Sequence, residues 1–126
     1  MAGTATNLMC LFLILGIAAP SLATEYVVGD SAGWNLDVNL KSWSHVKTFK
    51  VGDVLVFKYD PKLHNVVQVA DFADLATCRP RNILSVDNSG KTTITLDKPG
   101  KFYYISSLST DCLKGLKMCV TVTILG

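Results

Sequence analysis

Residues 116–125 read LKMCVTVTIL, and this alternation of apolar and polar side chains predicts a β-strand with one buried face. The apolar face carries Leu116, Met118, Val120, Val122 and Ile124. The opposite face carries Lys117, Cys119, Thr121 and Thr123. Because a single strand is not stable in water, the rest of the chain must supply partner strands.

Short β-prone segments recur upstream, separated by turn signals of the Gly-Asp, Asp-Pro and Pro-Gly kind. They are EYVV (25–28), VLVFKY (54–59), HNVVQV (64–69), KTTITL (91–96) and KFYYI (101–105). No long segment shows the helical period, and residues 71–82 allow only a helical turn that Pro80 limits. The pattern predicts an all-β fold, an antiparallel β-sandwich of Greek-key type with about seven strands.

Length and composition set the broad class of the protein. The chain has 126 residues, 49% hydrophobic and 17% charged, which is enough apolar material for one packed domain and argues against disorder. Its formal net charge is only +2, from 12 basic and 10 acidic residues. We therefore expect no nucleic-acid partner, since such binding needs a concentrated basic surface.

The first residues have the pattern of a secretory leader. Residues 8–19 read LMCLFLILGIAA, about twelve residues, which is too short to span a bilayer. Ser21-Leu22-Ala23 then forms a cleavage signal. We predict a signal peptide at residues 1–23 and a secreted domain at residues 24–126, located in the extracellular space. We expect no membrane span and no GPI anchor, since no second long apolar stretch and no apolar tail follow.

Secretion changes the meaning of the cysteines. Cys10 is removed with the leader, and Cys78, Cys112 and Cys119 remain. In an oxidising compartment two of the three should pair and leave one over. The residues alone leave the three pairings open, including Cys112 with Cys119, which would require a sharp reversal around Gly115.

An ordered set of landmarks covers residues 25–124. They are YVVGD (26–30), GW (33–34), Trp43, FKVGDVLVF (49–57), HNVV (64–67), FYYI (102–105), Cys112 and Gly115. In this set the chain resembles the phytocyanins, the plant branch of the blue-copper cupredoxins, and among them the plantacyanin (basic blue protein) group. The resemblance implies an extracellular cupredoxin-like sandwich of seven to eight strands and a disulfide between Cys78 and Cys112.

The resemblance also locates a copper site and shows what has replaced it. The family places one histidine ligand at the position of His64, and the other three ligands in a Cys-x4-His-x4-Met or Gln pattern. At that spacing this chain has Ser106, Asp111 and Leu116. The spacing is kept while three of the four ligand types are lost.

These replacements do not suit a blue-copper ion, which needs a thiolate and two imidazoles. A serine hydroxyl does not ionise near neutral pH, a carboxylate is a hard donor, and the Leu116 side chain donates nothing. We therefore expect no metal at the degenerate positions His64, Ser106, Asp111 and Leu116, and no cofactor. Copper is expected only under the alternative hypothesis, in which an altered set of ligands binds it.

Each remaining polar residue also has a structural explanation. Asp111 can accept hydrogen bonds from loop amides or pair with His64, and both alternatives stay open. Cys119 is predicted as a half-buried free thiol, with an intermolecular disulfide as the alternative. His45 is expected in a loop, off the ligand positions. The serine and threonine side chains expected to satisfy loop backbone groups are Ser106, Ser107, Ser109 and Thr110.

The predicted function follows from the lost ligands. We expect a secreted cupredoxin-fold protein without copper, acting as a recognition or structural component of the plant cell surface or wall. Its partner is then an unknown extracellular protein or wall component, docking on an apolar rim of Leu63, Leu108, Leu113 and Leu116. The alternative is a plantacyanin-type electron carrier with altered ligands. A hydrolase built on Ser106, His64 and Asp111 is disfavoured, because no nucleophile elbow accompanies them, and no enzymatic activity is expected.

Overall fold

The computed structural model describes residues 22–124, which form two β-sheets with short helices at their margins. The predicted leader lies outside the described residues except for Leu22 and Ala23, as do Leu125 and Gly126. Within the described range, no helix is long and apolar enough to cross a membrane.

Residues 22–124 form eight strands and two α-helices. The strands are β1 (Glu25–Val27), β2 (Phe49–Lys50), β3 (Val54–Lys58), β4 (Val66–Val69), β5 (Ile83–Asp87), β6 (Lys91–Thr95), β7 (Gly100–Ile105) and β8 (Lys117–Thr123). The helices are α1 (Leu40–His45) and α2 (Phe72–Thr77), and a 3-10 turn covers Asp30–Ala32. The prediction of an all-β sandwich of seven to eight strands is confirmed.

One sheet has three strands in the order β1-β3-β6, and the other has five in the order β2-β8-β7-β4-β5. Four of the six strand pairings are antiparallel, but β1 runs parallel to β3 and β2 parallel to β8. The sequence did not indicate these parallel pairs. They arise because β1 and β2 reach their partners through long crossover connections rather than hairpins.

The alternation that predicted the last strand is confirmed by burial. Met118, Val120 and Val122 are each no more than 2% exposed and pack in the main core. Ile124, which follows the strand, is exposed. The core between the sheets is closed by aromatic side chains, and Trp34 meets Phe57 edge to face at 5.0 Å between ring centroids.

A glycine allows Trp34 to enter this core. Gly33 has a φ of 78°, and a Cβ there would lie 2.7 Å from the carbonyl oxygen of Lys58. The next amide, that of Trp34, donates to the same carbonyl at 2.9 Å. The backbone therefore approaches β3 closely only because residue 33 has no side chain.

The disulfide implied by the family resemblance is present, linking Cys78 and Cys112 at a Cα–Cα distance of 5.7 Å. It ties the end of α2 to the loop between β7 and β8. Cys119 is free and partly buried on the outer face of β8, as the alternation predicted.

Three local expectations were wrong or incomplete. His45 lies at the end of α1 and not in a loop, because Asn39 caps that helix by accepting from the amide of Ser42. The strand predicted at residues 64–69 begins only at Val66, since His64 still belongs to the preceding turn. The strands β2 and β5 were not predicted at all.

Candidate metal centre

The backbone brings the four degenerate ligand positions to one end of the sandwich. The amide of His64 donates to the carbonyl of Asp60 at 3.0 Å, in the turn before β4. The loop after β7 closes on itself, because the amide of Ser106 donates to the carbonyl of Leu116 at 3.0 Å. The amide of Leu116 in turn donates to the carbonyl of Asp111 at 2.9 Å.

The three polar side chains of this set form one buried network. Ser106 Oγ donates to Asp111 Oδ2 at 2.6 Å, and His64 Nδ1 lies 2.8 Å from the same oxygen. All three residues are buried, with exposed fractions of 7% or less. An ionised carboxylate can only accept hydrogen bonds, so pairing with an ionised Asp111 uses the Nδ1–H form of the His64 imidazole.

This network decides between the two roles left open for Asp111. Its side chain pairs with His64, as one alternative proposed, and it also accepts from Ser106. Ser106 has a second contact, since its Oγ accepts from the amide of Asn65 at 3.3 Å. That contact agrees with the expectation that Ser106 satisfies a loop backbone group.

The order of the three groups is wrong for a hydrolase. In a catalytic triad the imidazole lies between the hydroxyl and the carboxylate, so that it can take the hydroxyl proton. Here the carboxylate lies between the hydroxyl and the imidazole. The serine proton is therefore directed at Asp111 and not at the imidazole.

Leu116 contributes packing only. Its side chain is fully buried in the main core cluster, so its predicted place on an exposed apolar rim was wrong. The physical reason is the loop closure described above, which turns residue 116 inward at the start of β8. Leu63 and Leu113 are exposed, at 59% and 74%, while Leu108 is half-buried.

Sequence reasoning missed a second polar contact beside the network. Asn65 is buried, and its Oδ1 accepts from the amide of Ser107 at 2.8 Å while its Nδ2 donates to Ser107 Oγ at 2.9 Å. Its carbonyl accepts from Trp34 Nε1 at 2.9 Å. The available signal was a polar residue placed directly before the buried run that starts at Val66. Ser107 was expected to satisfy loop backbone groups, but its hydroxyl bonds to this side chain instead.

The donors present do not fit a blue-copper ion. The set offers one imidazole, one carboxylate, one hydroxyl and one hydrocarbon side chain. Among residues 22–124, the cysteines other than Cys119 are joined in the disulfide, and Cys119 lies on the outer face of β8. No thiolate of the described chain is therefore placed to provide the soft, short bond that this ion requires.

A surface depression of about 660 Å³ opens beside the network. It is lined by the edges of His64 and Asp111 and by apolar side chains that include Leu36 and Leu63. The buried polar network therefore stands at the base of a mixed apolar and polar surface.

Comparisons with known proteins identify the family of this chain. The family model described as a plastocyanin-like domain matches residues 34–116. A "Blue copper protein" of Pisum sativum is 40% identical over 97% of this chain and 65% of its own length. A "Blue copper protein" of Petunia hybrida is 44% identical over 83% of this chain and 40% of its own length. The chain thus spans less than two thirds of either of these two relatives.

A solved structure, matched over nearly the whole of its own chain, supports the same family assignment. The cucumber basic protein, described as a blue copper protein, matches with a TM-score of 0.71 and 39% identity. The match covers 79% of this chain and 99% of the cucumber chain. By the family model, the sequence identities and the fold together, this chain belongs to the phytocyanin family.

Proposed function

We propose that this phytocyanin carries no type 1 copper, transfers no electrons and acts through its surface as a secreted recognition or structural component. The observation that supports the proposal is the double contact on Asp111 Oδ2, from His64 at 2.8 Å and from Ser106 at 2.6 Å. Side chains at the metal-ligand positions are satisfied by one another. A metal ion bound at Asp111 Oδ2 would have to compete with both hydrogen bonds.

The energetic argument concerns soft and hard donors. Cycling between Cu(I) and Cu(II) needs ligands that suit both states, and a thiolate with two imidazoles does so. A metal ion bound between His64 Nδ1 and Asp111 Oδ2 would break the 2.8 Å contact between these atoms. One imidazole and one carboxylate also lack the thiolate and the second imidazole that both oxidation states of copper require.

The biological setting is proposed from the predicted leader and the family. We propose that the domain is secreted to the apoplast and contacts an extracellular protein or cell-wall component, without enzymatic activity. Leu63 and Leu113 are exposed apolar side chains at the ligand end of the molecule, as a docking surface requires. Leu36, which lines the depression beside the network, extends this surface.

Copper reconstitution tests the proposal directly. The secreted protein is incubated with one equivalent of Cu(II), and bound copper and visible absorption are measured after gel filtration. We expect no intense blue band and less than one retained equivalent. One tightly held equivalent with a reversible blue band would overturn the proposal in favour of an electron carrier with an altered ligand set.

A restored variant is the matched control. The substitutions Ser106→Cys, Asp111→His and Leu116→Met together rebuild the family's ligand types at the retained spacing. We expect this triple variant to bind copper and turn blue, which shows that the scaffold and the assay are competent. If the variant folds by circular dichroism yet stays colourless, the assignment of these three positions is wrong.

The intact mass of the secreted form tests the predicted leader cleavage and the free state of Cys119. A mass equal to residues 24–126 with one disulfide and one alkylatable thiol is expected. A retained leader, or no free thiol without reductant, would contradict the predicted cleavage after Ala23 or the free state of Cys119.

A further inference from the structure

A groove lies beside the five-stranded sheet. Its two walls are the helices α1 and α2, and its floor is formed by residues of β7 and β8. Its volume is about 690 Å³, within the range of small-molecule sites, which is roughly 300–1,000 Å³. It shares no lining residue with the depression beside His64 and Asp111.

The charge of this groove has one sign. Four lysines and one histidine line it: Lys41, His45, Lys47, Lys101 and Lys117. No acidic side chain is among the described residues of its lining. Because the whole chain has a net charge of only +2, four lysines around one groove are a marked local concentration of positive charge.

The lysines approach from three elements and two of them are held in place. Lys117 Nζ donates to the carbonyl of Leu75 at 3.1 Å, and Lys47 Nζ lies 4.8 Å from the centroid of the Trp43 ring. Lys41 lies on α1 and Lys101 on β7, so positive charge is present both on a wall and on the floor. An anion in the groove would thus meet cations from more than one direction.

The rest of the lining is apolar apart from Ser44, Thr121 and the Cys119 thiol. Phe72 is 62% exposed at the first turn of α2, and Leu75 and Ala76 continue the apolar surface along that helix. Cys119 lies on the floor, where burial raises the pKa of its thiol and the nearby Lys101 opposes that rise. An exposed phenyl ring beside other apolar side chains is suited to a flat or hydrocarbon body.

We propose that this groove binds an organic anion with an apolar or aromatic body, its anionic group among the lysines and its body against Phe72, Leu75 and Ala76. A fully polar polyanion would leave these apolar side chains uncovered, and an uncharged hydrocarbon would leave the lysines without a counter-charge. The inference is independent of the copper question, because the two sites lie on different parts of the molecule.

Two fluorescent dyes test the charge requirement. 8-Anilinonaphthalene-1-sulfonate is an aromatic anion, and N-phenyl-1-naphthylamine is a closely related ring system without the sulfonate. At low ionic strength we expect one equivalent of the anion to bind, about tenfold more tightly than the neutral dye. Equal affinities for the two dyes would overturn the proposal.

Substitutions of single lysines test whether the anionic dye binds in this groove. Lys41→Gln and Lys101→Gln should each lower the affinity for the anionic dye by about three- to tenfold and leave the affinity for the neutral dye unchanged. Lys91→Gln is the matched control, since Lys91 is an exposed lysine on β6 in the other sheet. Loss of affinity in the control, or none in the two groove variants, would show that the dye binds elsewhere.

The labelling rate of the Cys119 thiol tests binding in the groove without any substitution. The anionic dye at saturation should slow the reaction of Cys119 with uncharged iodoacetamide at least about threefold, with the labelled residue identified by peptide mass. Unchanged labelling would contradict binding in the groove. Protection by polyglutamate but not by the dye would overturn the small-ligand proposal and assign the groove to an acidic chain, and dimerisation that protects Cys119 would assign it to a second copy.

Discussion

Two buried carboxylates are held at different places in this molecule by partners of different kinds. Asp53 is fully buried between β2 and β3, and its oxygens accept from the amides of Lys50 and Thr24, each at 2.9 Å. The Lys50 ammonium lies 3.2 Å from the same carboxylate. Asp111, which is 5% exposed, is instead held by the side chains of His64 and Ser106.

The difference separates a requirement of the fold from a replaceable site. The donors to Asp53 are chiefly main-chain amides, which no substitution other than proline at positions 24 or 50 removes. They join the segment before β1 to the turn that links the two sheets. The donors to Asp111 are side chains, so this contact exists only while three separate positions keep compatible residues. A metal-ligand end can therefore change its chemistry while the sandwich around Asp53 stays the same.

The largest effect is expected from Asp53→Ala. The change leaves two amides and an ammonium without their acceptor, and we expect a loss of about 3 kcal/mol in the free energy of unfolding. Urea unfolding followed by circular dichroism measures it. Asp97→Ala is the control, because Asp97 is exposed, and it should change stability by less than about 0.5 kcal/mol. Similar small losses of stability in both variants would contradict a special role of Asp53 in the fold.

The polar network of His64, Ser106 and Asp111 should contribute less to the free energy of unfolding than Asp53 does. Asp111→Ala is expected to cost about 2 kcal/mol and Ser106→Ala about 1 kcal/mol, since each leaves buried polar groups without a partner. The double variant should cost less than the sum of the two, because both substitutions remove the same hydrogen bond. Strict additivity in urea unfolding would mean that Ser106 and Asp111 do not interact in solution.

The fold was largely predictable because its strands alternate. The last strand was predicted at residues 116–125 and found at Lys117–Thr123, with the expected face buried. The helix Leu40–His45 was missed because six residues give too short a pattern for a helical period. The strand Ile83–Asp87 was missed because its side chains are mostly exposed on both faces, so no alternation marks it.

The site was only partly predictable. The retained spacing of residues 106, 111 and 116 located it by family resemblance, and the contact between His64 and Asp111 was one of two alternatives left open. The bond from Ser106 to Asp111 and the contacts of Asn65 with Ser107 were not predicted. They depend on how two loops distant in sequence meet, which no local pattern of residues specifies.

The protonation of Asp53 should make part of the stability depend on pH. Burial alone would raise its pKa, but hydrogen bonds from the amides of Lys50 and Thr24, together with the Lys50 ammonium, hold the pKa below the ordinary value of 3.8. Its contribution is therefore complete above that value and is lost as the pH falls through the lower pKa of the folded state. The difference in unfolding free energy between the unchanged protein and Asp53→Ala should be constant from pH 7 to pH 5 and shrink below pH 3.8. It should not vanish, since a protonated carboxyl still accepts hydrogen bonds. A difference that grows on acidification would contradict the sign of this shift.

The smallest effect concerns the amine that leader cleavage creates. Thr24 N lies 2.9 Å from Asp53 Oδ1, so cleavage after Ala23 would turn this amide into a positively charged terminal amine beside a buried carboxylate. Acetylating that amine restores a neutral amide with the same hydrogen bond and removes only the charge. Because Thr24 is exposed, we expect a loss of no more than about 0.5–1 kcal/mol. The same acetylation in the Asp53→Ala background should have no effect, since the partner charge is absent. Equal losses in the two backgrounds would show that the terminal amine does not pair with Asp53. The comparison of the two backgrounds therefore distinguishes a specific ion pair from a general effect of terminal charge.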